Sequence, residues 1–234
     1  MTIVFFQSII NKSSFKTYIF KANLKNMPRI AIDIQPPYNT ELFFWKITET
    51  AEELSELTYG GQTLLNEAQR KFKSEERRKE WLATRALLQS TPYKKCKIVY
   101  GNNGAPMLTD SDRHIGISHT KELVAIAISD THIGIDIEFG ERDALKVAKL
   151  FLTEKECGTL DNNKDEALRL WTTKEAAFKL ASENATVLKD IETEFKGTEN
   201  GEYIYKIKYT NQKSAICRTY MTNGLFISVS SLQE

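Results

Sequence analysis

The chain of 234 residues is long enough to bury a substantial core, as one large domain or as two small ones. Its hydrophobic fraction of 41% and its charged fraction of 27% are ordinary for a soluble globular protein. The net charge of +1, from 32 basic and 31 acidic residues, argues against a dedicated nucleic-acid-binding protein, because phosphate contacts normally require a basic excess.

Cysteine usage and hydropathy both bear on the compartment. The three cysteines, Cys96, Cys157 and Cys217, are odd in number and widely spaced, which favours neither a disulfide framework nor a zinc motif. No segment approaches the roughly 18 consecutive apolar residues that span a bilayer. The apolar N-terminus has no basic residue before it and no clear small-residue cleavage site after it. We therefore expect a cytoplasmic protein.

Residues 1–27 differ in composition from the rest of the chain. They are rich in Lys, Asn and Phe, and a second methionine, Met27, opens the more regular segment MPRIAIDI. Two interpretations are open at this point. Residues 1–27 are either an N-terminal extension upstream of a natural start at Met27, or an ordinary N-terminal strand and loop.

In the first half of the chain, apolar alternation predicts strands and helical periodicity predicts helices. Ser74 is a typical N-cap with acidic residues in the turn after it, so a long helix begins there and ends near Pro92. Gly60 and Gly61 end the shorter helix that precedes it. The predicted elements are a strand at 41–47, helices at 49–57 and 74–91, and strands at 97–100 and 115–118.

The second half begins and ends with strands. Thr222, Asn223 and Gly224 separate the last two of them and are typical of a hairpin turn. The predicted elements are strands at 123–128 and 131–138, helices at 143–152 and 165–181, and strands at 202–209, 214–221 and 225–230.

Helices and mostly antiparallel strands thus occur in both halves, which favours an α+β fold over a doubly wound parallel sheet. We assign residues 28–122 to an N-terminal half and residues 123–234 to a C-terminal half of one two-lobed unit. Because helices precede strands in each, we predict two similar α+β halves, joined near 120–130, with the active cleft between them.

The segment HIGIDIE at 132–138 places two acids at a spacing of two. In a strand, Asp136 and Glu138 project from one face, whereas the alternating isoleucines project into a core. Two acids on one face repel each other unless a counter-charge neutralises them, and a hard divalent cation does so well. Gly134 on the same face would leave room for a bulky ligand. The alternative is a solvated edge strand with two surface acids.

The segment WTTKEAAFKL at 171–180 has helical periodicity. A helix gathers Trp171, Lys174, Glu175, Phe178 and Lys179 onto one side, where a carboxylate lies between two ammonium groups and beside large apolar groups. The alternative is an exposed helix with a Glu175–Lys179 ion pair. Together with the strand acids, this helix supplies a third carboxylate, and the set predicts a magnesium site that handles phosphate.

Further polar residues are candidates for phosphate contacts. His119, beside Ser118, is either a structural hydrogen-bonding residue or a donor to a phosphate oxygen. Arg78 and Arg85 share a helix face with Trp81 and either clamp a phosphate or form a charged solvent face. Trp81 itself either stacks on a base or packs in the core. The chain has neither a P-loop nor a dinucleotide-binding glycine motif, so those nucleotide sites are improbable.

The order of three segments is more specific than any one of them. Ser118-His119-Thr120, then GIDIE at 134–138, then WTTKEAAFKL at 171–180 resembles the 4′-phosphopantetheinyl transferases. The resemblance is to the larger, pseudo-dimeric class, which activates peptide synthetases and fatty-acid carrier proteins. By motif it covers roughly residues 70–182, and by element order it extends over 40–232.

This resemblance implies a reaction and its participants. The 4′-phosphopantetheine arm of coenzyme A is transferred to a serine hydroxyl of an apo acyl or peptidyl carrier protein, with Mg²⁺ as cofactor and adenosine 3′,5′-bisphosphate as the released product. It also implies a pseudo-dimer of two similar halves. We expect coenzyme A and a carrier protein as partners, no nucleic acid and no membrane, and a monomer.

The resemblance also implies roles for individual residues. Asp136, Glu138 and Glu175 correspond to the magnesium ligands. Lys174 and Lys179 correspond to lysines around the phosphates and the reacting centre. Glu175 is the first choice for the base that takes the serine proton. Lys179 would stabilise the leaving phosphate.

The remaining cofactor contacts match less completely. Ser118 and His119 correspond to the motif that holds the adenosine 3′-phosphate end of coenzyme A. Arg78 and Arg85 lie on the helix that supplies basic contacts to the cofactor. The family usually carries Gly-Lys-Pro before this motif, and this chain has Ala105 in place of the lysine. Loss of one charge-assisted contact weakens binding by roughly 1.5–3 kcal/mol, about one to two decades in affinity.

Two other functions are open at this stage. The missing lysine is compatible with a degenerate member that binds coenzyme A or a carrier protein without transferring the arm. The carboxylates are also compatible with an unrelated magnesium-dependent phosphohydrolase, although the sequence has no second ligand cluster and no nucleophilic aspartate motif.

Overall fold

The computed structural model describes residues 17–19, 39–181 and 187–232. The segment 1–27, including Met27, therefore lies outside the described residues apart from the short strand β1 (Thr17–Ile19). Helices and strands are both abundant, and the predicted α+β class is confirmed. Among the described residues, no helix combines the length and the apolar character needed to cross a bilayer.

The first half consists of a sheet and three helices. The sheet order is β1-β2-β6-β5, in which β1 is parallel to β2 and the other pairs are antiparallel, while β3 and β4 form a separate hairpin. The elements are β2 (Glu41–Lys46), α1 (Ala51–Glu56), α2 (Gly61–Lys71), α3 (Glu75–Gln89), β3 (Ile98–Tyr100), β4 (Pro106–Leu108), β5 (His114–His119) and β6 (Leu123–Ser129).

Local signals explain most of these helices. Thr50 and Glu53 form a capping box at the start of α1, and the Ser74 side chain accepts a hydrogen bond from Arg77 N at the start of α3, as predicted. Helix α2 was not predicted, because Gly60 and Gly61 were interpreted as a break, whereas Gly60 is the N-cap residue of this helix and Gly61 its first residue.

The second half consists of a five-stranded antiparallel sheet covered by helices. Its strand order is β7-β11-β10-β9-β8. The elements are β7 (Ile133–Phe139), a 3-10 helix (Ala144–Val147), α4 (Ala148–Phe151), α5 (Glu154–Thr159), α6 (Lys164–Ala181), a second 3-10 helix (Leu188–Asp190), β8 (Glu192–Glu199), β9 (Glu202–Lys208), β10 (Ser214–Thr222) and β11 (Leu225–Leu232).

The predicted long helix and the last three strands of this half are confirmed. The turn between β10 and β11 has positive φ at Asn223 (49°) and Gly224 (74°), as a type I′ hairpin requires. Helix α5 and strand β8 were not predicted. Strand β8 lies at the sheet edge and is exposed over most of its length, so it lacks the buried alternation that identifies a strand.

Strand β6 belongs to the first sheet, although the predicted boundary at residue 123 assigns it to the C-terminal half. It pairs with β2 on one side and with β5 on the other. The cause is a tight turn after β5, in which Thr120 N donates to Leu123 O at 2.7 Å and the chain folds back as a hairpin. The first half therefore extends through Ser129.

Three clusters of buried apolar residues form the core and show how the sheets and helices pack. One cluster lies between the first sheet and α1, α2 and α3, and a second lies between the second sheet and α4 and α6. The third lies between the two sheets and combines Leu42 and Phe44 with Ile133, Ile135 and Ile137. The sheets therefore face each other, with helices on their outer faces, and the predicted burial of the three isoleucines is confirmed.

Gly134 lies where α6 crosses β7, and the predicted space for a ligand at this residue is absent. A Cβ on Gly134 would lie 2.0 Å from Ala176 O and 2.8 Å from Leu180 N. The helix backbone itself fills the space that the missing side chain leaves. Gly134 thus serves helix–strand packing, and it fixes the height of α6 above the strand that carries Asp136 and Glu138.

We expect Gly134→Ala to lower the free energy of unfolding by at least about 3 kcal/mol, because the backbone of α6 must move to admit the methyl group. Urea unfolding followed by circular dichroism measures this loss. The matched control is Gly158→Ala in α5, where an added Cβ meets nothing within 4 Å. There we expect a gain of about 0.5–1 kcal/mol. Equal stability of the Gly134 variant and the unmodified protein would contradict this packing.

Candidate active site

The centre of the site is the buried carboxylate of Asp136 on β7. Its Oδ1 accepts a hydrogen bond from Lys179 Nζ of α6 at 2.6 Å and another from Ser118 Oγ of β5 at 2.9 Å. Ser118 Oγ in turn accepts from Lys179 Nζ at 3.0 Å and from Ile137 N at 3.2 Å. Three predicted site residues from both halves of the chain are thus in direct contact.

Glu138 and Glu175 complete a group of three acids around this point. Burial raises the pKa of the Glu138 carboxyl, and the charge of Asp136 raises it further. Burial likewise raises the pKa of Glu175, again followed by the charge of Asp136. Each glutamate is therefore close enough to Asp136 for their charges to interact, as the predicted shared face requires.

These acids suit a hard divalent cation. The second oxygen of Asp136, Oδ2, is buried and has no hydrogen-bond partner. An unpartnered buried carboxylate oxygen is unfavourable by itself, and a cation would satisfy it. As placed, no three His, Cys, Asp or Glu side chains of the described residues form a ready-made metal cluster. The donor chemistry and the orphaned oxygen nevertheless fit Mg²⁺.

Two side chains, Arg142 and Trp171, donate hydrogen bonds to Glu138. Arg142 forms an ion pair with its Oε1, and Trp171 Nε1 donates to the same oxygen at 3.3 Å. The guanidinium carbon of Arg142 lies 4.2 Å from the centroid of the Trp171 ring. Arginine, carboxylate and indole thus form one small cluster at the end of β7. Arg142 was not among the predicted site residues.

A cavity of about 1040 Å³ is lined by residues of both sheets and their connections, and Asp136 and Lys179 form part of its wall. It is lined by residues of both halves, including Ala105 of the turn where the family usually carries a lysine. Its lining also contains all three histidines of the chain. The Lys and Arg side chains that line it outnumber the Asp and Glu side chains by four to two: Lys71, Arg77, Lys179 and Lys213 against Glu80 and Asp136.

His119 lies in the cavity wall with both ring nitrogens engaged. Its Nε2 lies 3.1 Å from an Arg77 guanidinium nitrogen, and its Nδ1 lies 3.3 Å from Glu80 Oε2. Burial lowers the pKa of His119 to about 4, and the charges of Arg77 and Lys179 act in the same direction. The neutral ring therefore donates from Nδ1 to Glu80 and accepts from Arg77 at Nε2.

Arg77 contacts the cavity, whereas the predicted Arg78 and Arg85 are not among the residues that line it. Arg78 Nε donates to Phe72 O at 2.9 Å, so this side chain supports the loop before α3. Arg85 lies over the Trp81 ring, with its guanidinium carbon 3.2 Å from the ring centroid. The residues of α3 that line the cavity, Arg77, Glu80, Trp81 and Thr84, have the spacing i, i+3, i+4 and i+7. This helical face is the sequence pattern that could have identified Arg77.

Trp81 packs in the first apolar cluster and retains only 8% of its accessible surface. Of the two roles that the sequence left open for it, core packing is the one that this burial supports. Its indole still forms part of the cavity wall, next to Arg77 and Glu80 on the same helix face.

Lys174 does not lie with the other predicted cofactor-binding residues. Its side chain is fully buried, and its Nζ donates to Glu156 Oε2 at 2.6 Å and to Phe151 O at 3.0 Å. The Glu156 carboxylate also accepts hydrogen bonds from Thr153 and Thr193. One step of about 100° along α6 separates Lys174 from Glu175, which turns the lysine toward α4, α5 and β8. Lys174 is therefore a structural residue in this arrangement.

We expect Lys174→Met to lower the free energy of unfolding by roughly 3–5 kcal/mol, because it leaves the Glu156 carboxylate without its counter-ion. The matched control is Lys196→Met, whose partner Glu194 is exposed. For that exposed pair we expect a change of about 0–1 kcal/mol. Urea unfolding of both variants at neutral pH measures these free energies. A similarly small loss of stability in both variants would contradict the buried structural role of Lys174.

We expect the His119 ring to titrate near pH 4, well below the ordinary value of 6.5, in the folded protein. The unfolded chain takes up a proton on this ring between pH 6.5 and 4 and the folded chain does not, so the ring's contribution to stability is lost as the pH falls through this window. NMR titration of the three histidine rings measures these pKa values, with His119→Asn to assign the signal. A pKa at or above 6.5 would contradict the burial described here.

Two comparisons with known proteins give a match, and the family-model match lies in the second half of the chain. Residues 132–225 match the family model of the 4′-phosphopantetheinyl transferase superfamily. A 107-residue segment is 34% identical to the 4′-phosphopantetheinyl transferase gsp of Aneurinibacillus migulanus, covering 43% of this chain and 45% of that relative. The matched segment thus spans less than half the length of the relative. The resemblance stated from the sequence motifs is confirmed over this segment, which is similar to the 4′-phosphopantetheinyl transferase superfamily.

Proposed function

We propose that this protein is a 4′-phosphopantetheinyl transferase, which moves the phosphopantetheine arm of coenzyme A to a serine hydroxyl of an apo carrier protein and releases adenosine 3′,5′-bisphosphate. The observation that carries the proposal is the Asp136–Lys179–Ser118 contact in the wall of the cavity between the halves. A buried acid with an orphaned oxygen, a lysine from a facing helix and an excess of cavity cations together suit a phosphate group and a divalent cation.

The cavity supports a large, anionic small-molecule substrate. Its volume of about 1040 Å³ is at the upper end of the usual range for ligand pockets, as a molecule the size of coenzyme A requires. Arg77, which Glu80 and His119 orient, provides guanidinium donors on one wall. Lys179 provides an ammonium group on the other. We propose that these two cations hold the phosphates of coenzyme A, and that Ser118 and His119 contribute by positioning Lys179 and Arg77.

Asp136, Glu138 and Glu175 are the residues that would hold Mg²⁺. When bound, Mg²⁺ would neutralise the pyrophosphate of coenzyme A and orient it for in-line attack. Glu175 is the proposed base for the serine hydroxyl, because burial raises its pKa and so makes its carboxylate a better proton acceptor. Lys179 Nζ donates a hydrogen bond to Asp136 Oδ1, so it lies beside the proposed metal ligands. We propose that it stabilises the leaving phosphate.

The wider features of the transferase class are also part of the proposal. Each half has a sheet with helices on its outer face, which supports a pseudo-dimer of two similar lobes. The cysteines of the chain are all free, which supports a reducing compartment such as the cytoplasm. The proposed carrier protein belongs to fatty acid, polyketide or nonribosomal peptide synthesis, and we propose that a monomer carries out the transfer.

A non-catalytic binding module is the second candidate, and Ala105 in the cavity wall favours it. Incubation of the protein with Mg²⁺, labelled coenzyme A and a panel of apo carrier proteins separates the possibilities. Label on a carrier serine supports the transferase. Binding of coenzyme A without transfer to any carrier identifies the binding module, and phosphate release without a carrier identifies a phosphohydrolase.

We expect Glu175→Gln to lower the single-turnover rate of transfer at least about 100-fold, because the amide neither accepts the serine proton nor ligates a cation well. Coenzyme A affinity, measured by calorimetry, should fall less than the rate, since Lys179 and Arg77 are unchanged. The matched control is Asp165→Asn, an exposed acid at the start of the same helix, which should leave both quantities unaltered. A rate for Glu175→Gln within about threefold of the unmodified protein, roughly 0.6 kcal/mol of barrier, would remove this residue from the mechanism.

A further inference from the structure

Glu138 has a counter-ion of its own, distinct from the one that neutralises Asp136. Arg142 pairs with Glu138 Oε1 at the end of β7, whereas Lys179 pairs with Asp136 Oδ1. Two cations of the chain therefore neutralise part of the charge of the three acids when no metal ion is present. Because Arg142 contacts Oε1 of Glu138, a divalent cation that binds through this oxygen competes with Arg142 for it, and one that binds through the second oxygen is opposed by the nearby positive charge.

Arg142 and Lys179 differ in how firmly they are held. Lys179 donates to both Asp136 and Ser118 and lies in the cavity wall. The Arg142 side chain is 42% exposed and lies outside the cavity lining, and its backbone N donates to Phe139 O in the turn after β7. An ion pair with this exposure contributes only about 0–1 kcal/mol, so Arg142 can leave Glu138 at little cost.

Arg142 has a second contact, with the ring of Trp171. The guanidinium lies against the Trp171 ring, and a cation–π contact of this kind does not require the ion pair with Glu138. The indole N–H of Trp171 donates to the same Glu138 oxygen that Arg142 contacts. Release of Glu138 by Arg142 therefore changes the surroundings of the Trp171 ring directly.

We propose that Arg142 is an internal counter-ion that occupies Glu138 in the metal-free protein and is displaced when a divalent cation binds. Arg142 thereby lowers the affinity of the site for the cation and stabilises the carboxylate cluster without it. This role rests on the cation site of the proposed function, in which Glu138 is a ligand, and not on the transfer reaction itself. Arg142 acts through Glu138 and is a positioning residue, not a catalytic one.

The test measures Mn²⁺ binding to the metal-free protein by electron paramagnetic resonance, with neither coenzyme A nor a carrier protein present. We expect Arg142→Met to tighten Mn²⁺ binding about three- to fivefold, because the competing charge is gone. Arg142→Lys keeps a positive charge and should stay within about twofold of the unmodified protein. The matched control is Arg218→Met, which breaks an Arg–Glu pair with Glu202 in the same half and should leave Mn²⁺ affinity unaltered.

Trp171 supplies a second readout. The other two tryptophans, Trp45 and Trp81, are almost fully buried in the first half, so a cation-dependent change in fluorescence should arise from Trp171 and disappear in Trp171→Phe. We expect this change in the unmodified protein and a smaller one in Arg142→Met, in which no guanidinium is displaced.

Several results would overturn the inference. They are no Mn²⁺ binding by the unmodified protein, an unchanged or weaker affinity in Arg142→Met, an equal gain in Arg218→Met, and cation saturation without a change in Trp171 fluorescence. Because these measurements use no substrate, failure of transfer to carrier proteins would overturn the proposed function and leave the role of Arg142 standing. Successful transfer with no effect of Arg142 on Mn²⁺ affinity would do the reverse.

Discussion

The carboxylate of Asp136 is the constraint on which the site depends. Its residue is only 5% exposed, and burial of a charge at such a position is costly unless hydrogen bonds and a counter-charge offset it. Lys179 from α6 and Ser118 from β5 provide both. The two donors come from different elements, so the charge on Asp136 is stabilised only when α6 and β5 are both packed correctly against β7.

Two glycines lie where α6 and β5 pack against β7. Gly134 lets the backbone of α6 lie directly on β7, which brings Lys179 to Asp136. Gly116 of β5 also lies close to β7, since a Cβ there would be 3.2 Å from Ile133 O and 3.2 Å from Ile135 Cγ2. A shift of a few tenths of an ångström would relieve those contacts, so Gly116 limits the position of β5 less strictly than Gly134 limits that of α6. Close backbone packing at Gly134 therefore positions the side chain of Lys179 against Asp136.

The period of a strand was enough to predict that Asp136 and Glu138 share a face, because that period does not depend on the rest of the fold. The partner of a lysine on α6 could not be predicted in the same way. Lys174 and Lys179 both looked available to a phosphate, but the partner of Lys174, Glu156, lies on α5, which has only one buried residue and no clear pattern. The sequence likewise could not show that Arg77, and not Arg78, lines the cavity, because the cavity wall is formed by tertiary packing.

The environment of His119 shows how the cavity keeps cations available to an anion. A protonated imidazole would repel Arg77 and Lys179, and burial already disfavours it, so the ring is neutral. As a neutral ring it links Glu80 to Arg77 and has no hydrogen left for a ligand. The guanidinium of Arg77, about half exposed and oriented from both sides, is then the donor that faces the cavity. His119 therefore positions the arginine that lines the cavity, and an anion bound there would meet the guanidinium of Arg77 and not the imidazole ring.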